Sequence, residues 1–114
     1  EGMRRVGFVM GSDSDLPAFG MKMNSLFEFG IARKCHGFSA RDNGFGVIIA
    51  AAGMAVHLAG AIAANTALPV LGIPCKSVHL DGIDALLSTV QMPSGIPAAA
   101  AAINGGVNAA LLSA

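Results

Sequence analysis

The stretch Val6-Gly7-Phe8-Val9-Met10-Gly11-Ser12-Asp13-Ser14-Asp15-Leu16-Pro17 decides how the rest of the chain is read. Its first half is a continuous apolar run with no polar alternation, which suits a strand covered on both faces. The run stops at Gly11 and gives way to a Ser/Asp turn. Asp15 suits a helix N-cap and Pro17 the first helical turn, so a helix is read over residues 16–29 with Gly30 as its C-terminal cap. Strand, tight turn and helix in direct succession open a βαβ unit.

The pattern continues along the chain. Residues 31–38 form a second, more polar strand candidate, and residues 47–50 a third. An Ala-rich helix follows at 54–65, then a strand at 69–73 closed by Pro74. Asp81 is read as the cap of a short helix through Ser88. Residues 91–97 form a loop with two prolines. Residues 98–103 favour helix by alanine propensity but strand by the alternation of elements, and 104–114 return to helix. Strands alternating with helices predict an α/β domain with a doubly wound parallel sheet, whose ligand binds beyond the carboxyl ends of the strands. One connection does not fit. Between the second and third strand candidates lie only a few residues, Arg41-Asp42-Asn43-Gly44-Phe45-Gly46, whereas a parallel crossover takes a dozen or more. Either Asn43-Gly44 turns an antiparallel hairpin, or a segment is absent there.

Composition narrows the class. Of 114 residues, 54% are hydrophobic and 12% charged, with seven basic and seven acidic side chains. No cationic excess marks a nucleic-acid binder, and the chain is too apolar for disorder. A soluble monomer normally carries about 25–35% charged residues. Two readings of the deficit remain, a subunit buried in an oligomer or a membrane segment. Residues 45–64 carry no charge over the length of a span. Yet that run holds His57 and several glycines, and no Lys/Arg cluster flanks it. The expectation is therefore no membrane and no nucleic acid. Arg4-Arg5 precede too short an apolar run for a signal peptide, and Cys35 and Cys75 are too few for a disulfide framework or a metal site. A cytoplasmic chain with reduced thiols is expected.

Chemistry-bearing residues cluster at the strand ends. Gly11, Ser12, Ser14 and Asp15 lie where a helix start offers unpaired N–H groups to an anion such as phosphate, with a carboxylate able to accept from ribose hydroxyls. The same residues also serve as a plain N-cap. Ala51, Ala52 and Gly53 follow the third strand with side chains small enough for a ligand to approach the backbone, or for tight helix packing. His57 is either a packing residue or a pocket residue. His36 and His79 have weaker claims.

Taken in order, these stretches resemble the PurE family, the N5-carboxyaminoimidazole ribonucleotide mutases of purine biosynthesis. The resemblance is carried by the opening stretch from Val9 to Pro17, by Ser39-Ala40, and by Val47-Ile48-Ile49-Ala50-Ala51-Ala52-Gly53-Met54-Ala55-Val56-His57-Leu58. It continues through Leu68-Pro69-Val70-Leu71-Gly72-Ile73-Pro74 and Leu80-Asp81-Gly82-Ile83-Asp84-Ala85-Leu86-Leu87-Ser88-Thr89-Val90-Gln91-Met92-Pro93-Ser94-Gly95-Ile96-Pro97. It implies a flavodoxin-like three-layer sandwich, a homo-octamer, no metal and no organic cofactor. The implied reaction moves a carboxylate from the exocyclic nitrogen to the ring carbon of an aminoimidazole ribonucleotide. Ser12 and Asp15 match the residues at the phosphoribosyl end. Ser39-Ala40 match the start of a Ser-Ala-His-Arg motif near the migrating carboxylate, and Ala51-Ala52-Gly53 with His57 match the stretch lining the same pocket. A CO2-dependent aminoimidazole ribonucleotide carboxylase and a catalytically inactive nucleotide-binding subunit are the alternatives.

The departure from the family lies after Ala40, where Arg41 stands in place of the motif's His. Arg41 is either the motif Arg or the tail of a lost helix. The expectation is one mutase domain over 1–114, with a segment missing between 40 and 41 and a short C-terminus. No catalytic residue is assigned within the chain as written. Ala51 and Met54 stand where the family usually has Gly, which would narrow the pocket.

Overall fold

Parallel apolar strands need both faces covered, and the chain meets this with one central sheet. The computed structural model describes residues 5–11, 27–31, 44–55 and 57–114, with backbone alone at 27–31. Its elements are β1 (Arg5–Met10), β2 (Phe27–Ile31), β3 (Phe45–Gly53), α1 (Leu58–Ala63), β4 (Val70–Cys75), α2 (Ile83–Val90), β5 (Ala99–Ala100) and α3 (Gly106–Ser113). The strand order is β2-β1-β3-β4-β5 and every pairing is parallel. This is the expected doubly wound α/β architecture.

Alternation along the strands builds two cores. On one face Phe8, Met10, Ile49, Ala51, Leu71 and Ile73 pack together and are closed by Ala109 of α3. On the other, Ile48, Ala50, Ala52 and Val70 pack against Leu58 and Ala59 of α1. Ile48 and Ile49, at 2% and 1% exposure, are adjacent and serve opposite cores. Each such side chain contributes about 1.5–3 kcal/mol by leaving water.

Several expectations shift. The second strand is Phe27–Ile31 rather than 31–38, so the helix read over 16–29 cannot reach Phe29 and Gly30 is a strand residue instead of a cap. Phe27, Phe29 and Ile31 alternate with Glu28 and Gly30, and that period of two prevails over the helical reading. The earlier strand end leaves residues 32–44 for the crossover, enough for a parallel connection. No hairpin forms at Asn43-Gly44, because β1 lies between β2 and β3. The geometric case for a missing segment therefore falls away, and only the motif argument remains.

The uncharged run 45–64 divides into β3, a turn and α1, and no helix among the described residues is long and apolar enough to cross a membrane. The helix expected at 54–65 is confined to Leu58–Ala63 because the backbone turns at Met54, where φ is +58°. Asp81 is not the cap of α2. Gly82 is, and Asp81 pairs with Lys76 at 3.0 Å. The ambiguous alanines yield a strand of only two residues. Pro74 lies inside β4 rather than ending it. A proline is tolerated there because β5 pairs only as far as Gly72, and the Pro74 carbonyl instead accepts from the Asn104 N–H at 2.9 Å.

Gly72 sets how closely the helices approach the sheet. A Cβ there would lie 2.4 Å from Thr89 Cγ2 and 3.2 Å from Ala59 Cβ, so α2 and α1 rest on its bare backbone. Gly72→Ala is expected to destabilise the fold by about 1–3 kcal/mol through overpacking. Adding Thr89→Ser removes Cγ2 while keeping a hydroxyl for the bond that Thr89 Oγ1 donates to the Ala85 carbonyl at 2.7 Å. The double variant is expected to recover part of the lost melting temperature; thermal unfolding of both variants measures this.

Candidate active site

The strand order creates the crevice. After β1 the chain moves to one side for β2, then crosses to the other side of β1 for β3. The connections diverge at the carboxyl ends of β1 and β3, where open parallel sheets bind ligands. Met10 is in register with Ala51, and the Gly11 N–H donates to the Ala51 carbonyl at 3.0 Å. The two strand ends are thus fastened directly beneath the crevice. Gly11 is exposed on its rim, while Ala51 and Ala52 are buried and Gly53 is half-buried. Ala51 and Ala52 point into opposite cores. What they offer a ligand is therefore backbone and absence of bulk.

Six of the expected site residues, Ser12, Ser14, Asp15, Ser39, Ala40 and Arg41, lie outside the described residues. In the chain, Ser12 directly follows Gly11, at the carboxyl end of β1. The residues that the structure does bring together are Gly11, Ala51, Ala52 and Gly53.

His57 stands at the N-cap of α1, exposed, and makes no capping bond with its side chain. Its Nδ1 lies 3.0 Å from the Ser88 carbonyl of α2. A carbonyl can only accept, so Nδ1 carries the hydrogen, and neutral His57 keeps its lone pair on Nε2. The ring lies over Gly60. A Cβ at Gly60 would be 2.1 Å from Nε2 and 2.5 and 2.6 Å from the two ring carbons beside it. Those near-equal distances put the Cβ above the ring face, not along the in-plane lone pair. Gly60 therefore leaves the Nε2 edge unblocked, and among the described residues Nε2 has no hydrogen-bond partner. A polarised donor or an anion facing a protonated ring is the chemistry it suits.

Sequence reasoning missed Gly60 and the Ser88 carbonyl. The first has a local signal, a glycine three residues after a His at a helix start. The second joins residues 31 apart and has none. It also missed the clasp beyond β4. There the Lys76 N–H donates to Asn104 Oδ1 at 2.9 Å while the Lys76 ammonium pairs with Asp81. Both charged groups are well exposed, so the pair orders the loop more than it stabilises the fold.

Comparison with known proteins adds to this geometry. The AIR carboxylase family model matches residues 5–114. The chain is 48% identical to the N5-carboxyaminoimidazole ribonucleotide mutase of Pyrococcus horikoshii, over 94% of this chain and 68% of that one. It is 44% identical to the enzyme of the same name from Thermotoga maritima, over 98% and 74%. It is also 44% identical to the chloroplastic phosphoribosylaminoimidazole carboxylase of Vigna aconitifolia, covering 94% of this chain but only 22% of that protein. The Thermotoga alignment extends over 126 positions, more than the 114 residues here, so that relative has positions with no counterpart in this chain. Among solved structures, a variant of Treponema denticola PurE2 superposes with a TM-score of 0.67 at 28% identity, over 96% of this chain and 77% of that one. With a family model spanning the strands and helices that frame the crevice, the chain belongs to the AIR carboxylase (PurE) family.

Proposed function

We propose that the chain is an N5-carboxyaminoimidazole ribonucleotide mutase of purine biosynthesis. The observation that carries this reading is the identity of 44–48% to proteins of that name over nearly the whole chain. The ribonucleotide lies across the carboxyl ends of β1 and β3. Its phosphate and ribose meet the Gly11 edge with Ser12, Ser14 and Asp15. Its heterocycle and carboxylate lie toward Ser39-Ala40 and the backbone of Ala51, Ala52 and Gly53, with His57 at the border.

The chemistry asks two things of the protein. The bond from the exocyclic nitrogen to the carboxylate carbon breaks, that nitrogen keeps the electron pair, and CO2 is recaptured by the ring carbon. Water must be kept out while CO2 is free. The hydrogen on the ring carbon must also leave as the new bond forms, and the nitrogen must gain one. A group titrating near neutrality does this, and His is the side chain that does so unperturbed. In the family motif that His follows Ser-Ala; here Arg41 follows. Alignments longer than the chain show that these relatives carry positions this chain lacks, and the motif alone points to Ala40–Arg41 as the border. The one-domain chain as written thus keeps the site that holds the nucleotide and lacks the residue that moves the proton.

The same departure favours a second reading, a nucleotide-binding subunit without turnover. Relatives named as carboxylases at equal identity keep CO2-dependent carboxylation as a third. Assays with the N5-carboxylated ribonucleotide, and with aminoimidazole ribonucleotide plus bicarbonate, separate the three. The 114-residue chain is expected to bind ribonucleotide without turning it over. A variant with a His-Arg-containing crossover inserted after Ala40 is expected to convert the N5-carboxylated compound. Turnover by the unaltered chain would place the proton carrier elsewhere. Ser12→Ala and Asp15→Leu are each expected to weaken ribonucleotide binding by about 1–3 kcal/mol through lost hydrogen bonds; calorimetric titration measures this.

The protein is further proposed to work in the cytoplasm as a homo-octamer. Two cysteines, too few for a disulfide framework, fit a reducing compartment. α2 buries Ala85 and Thr89 on one face yet presents Ile83, Leu87 and Val90 on another. A helix that is apolar on both sides is normally covered on both. Light scattering is expected to report an assembly of about eight chains at micromolar concentration, and a stable monomer would refute it.

A further inference from the structure

Among the described residues, three other than glycine hold a left-handed backbone: Met54 (φ +58°), Asp81 (φ +52°) and Asn104 (φ +57°). Asp and Asn tolerate this region because short polar side chains bond locally. Both do so here. Asp81 pairs with the Lys76 ammonium, and Asn104 takes the Lys76 N–H on its side-chain oxygen. Met54 has no such compensation. Its thioether is a poor acceptor, and the residue is 60% exposed, so core packing does not offset the conformational cost either. An exposed apolar side chain on a strained backbone carries two costs at one position.

The position is specific. Met54 directly follows Gly53, the last residue of β3, which is in register with Cys75 of β4. It is three residues beyond Ala51, whose carbonyl takes the Gly11 N–H. Met54 thus stands on the rim of the crevice at the carboxyl ends of β1 and β3. Strain that persists at such a site is commonly tied to ligand binding. The side chain narrows the choice of what it meets. A thioether is soft and polarisable and packs well on aromatic rings, and it has nothing to offer a phosphate.

We propose that Met54 is a specificity-determining residue whose thioether packs against the heterocycle of the bound ribonucleotide. This rests on the ribonucleotide reading of the site given above. Met54 then acts on the base end of the ligand, away from the Gly11 edge where the phosphate is proposed to lie. It also opposes stability to affinity at a single residue.

That opposition supplies the test. Met54→Gly releases the backbone, since glycine accepts positive φ freely, and is expected to raise the melting temperature by a few degrees. The same change is expected to weaken aminoimidazole ribonucleotide binding about three- to tenfold. Ribose 5-phosphate, which lacks the heterocycle, is expected to bind Met54→Gly and the unsubstituted chain equally. Met54→Ala keeps the strained backbone and is expected to lose affinity without gaining stability. Calorimetric titration with both probes and thermal unfolding give all the readouts. Unchanged ribonucleotide affinity in both variants overturns the contact while leaving the functional reading intact. A lower melting temperature for Met54→Gly also overturns it, because the side chain would then be stabilising the fold itself. Failure of the unsubstituted chain to bind the ribonucleotide overturns the functional reading and the contact together.

Discussion

The pairing of β3 with β1 on one side and β4 on the other is the constraint from which the rest follows. β3 is nine residues long and parallel to both neighbours. A strand in that position has no water-facing side, so its residues must be apolar or small throughout, and those of β3 are. Its alternation sends Ile49 and Ala51 to one core and Ile48, Ala50 and Ala52 to the other. Each core then needs its own cover, and α1 and α3 supply it from opposite faces. Because Met10, the last residue of β1, pairs with Ala51, two residues before the end of β3, their carboxyl ends open onto the same crevice.

Much of this was legible in the chain. The unbroken apolar runs at Val6–Met10 and around Val47-Ile48-Ile49 read as buried parallel strands, and the small residues after them, read as open to a ligand or as tight packing, lie at the paired strand ends with Ala51 and Ala52 in the two cores. β2 was misread because Phe27-Glu28-Phe29-Gly30-Ile31 satisfies two local rules at once, and only pairing with β1 decides between them. Alanine propensity predicts a helix after β3 over 54–65 and overshoots, because propensity does not register the left-handed turn at Met54. Gly11, Ala51, Ala52 and Gly53 do come together, as chain order and register require. The bond between His57 and Ser88 was invisible, since nothing local to either residue announces a partner 31 positions away.

On the proposed function, holding the nucleotide and moving its proton draw on different parts of this fold. Holding relies on strand ends, backbone donors and lack of bulk, all of which belong to the sheet and survive changes in the connections. On the proposed reading, proton movement relies on one side chain that the family motif puts after Ser39-Ala40. On that reading a shortened connection would cost turnover and leave the sheet order intact, since β3 pairs with β1 across residues 32–44. High identity over the rest of the chain is therefore compatible with a site in which binding and turnover have become separable.

The two-residue β5 has a consequence for solubility. Beyond Gly72, β4 has no strand beside it on that edge, and an open parallel edge is a template on which another chain can add. Pro74 removes one donor from this edge, and Asn104 covers the Pro74 carbonyl with its backbone N–H and the Lys76 N–H with its side chain. The last stretch of β4 is therefore sealed without a strand. In a chain this apolar, one asparagine and one proline protect this edge of the sheet from templated aggregation.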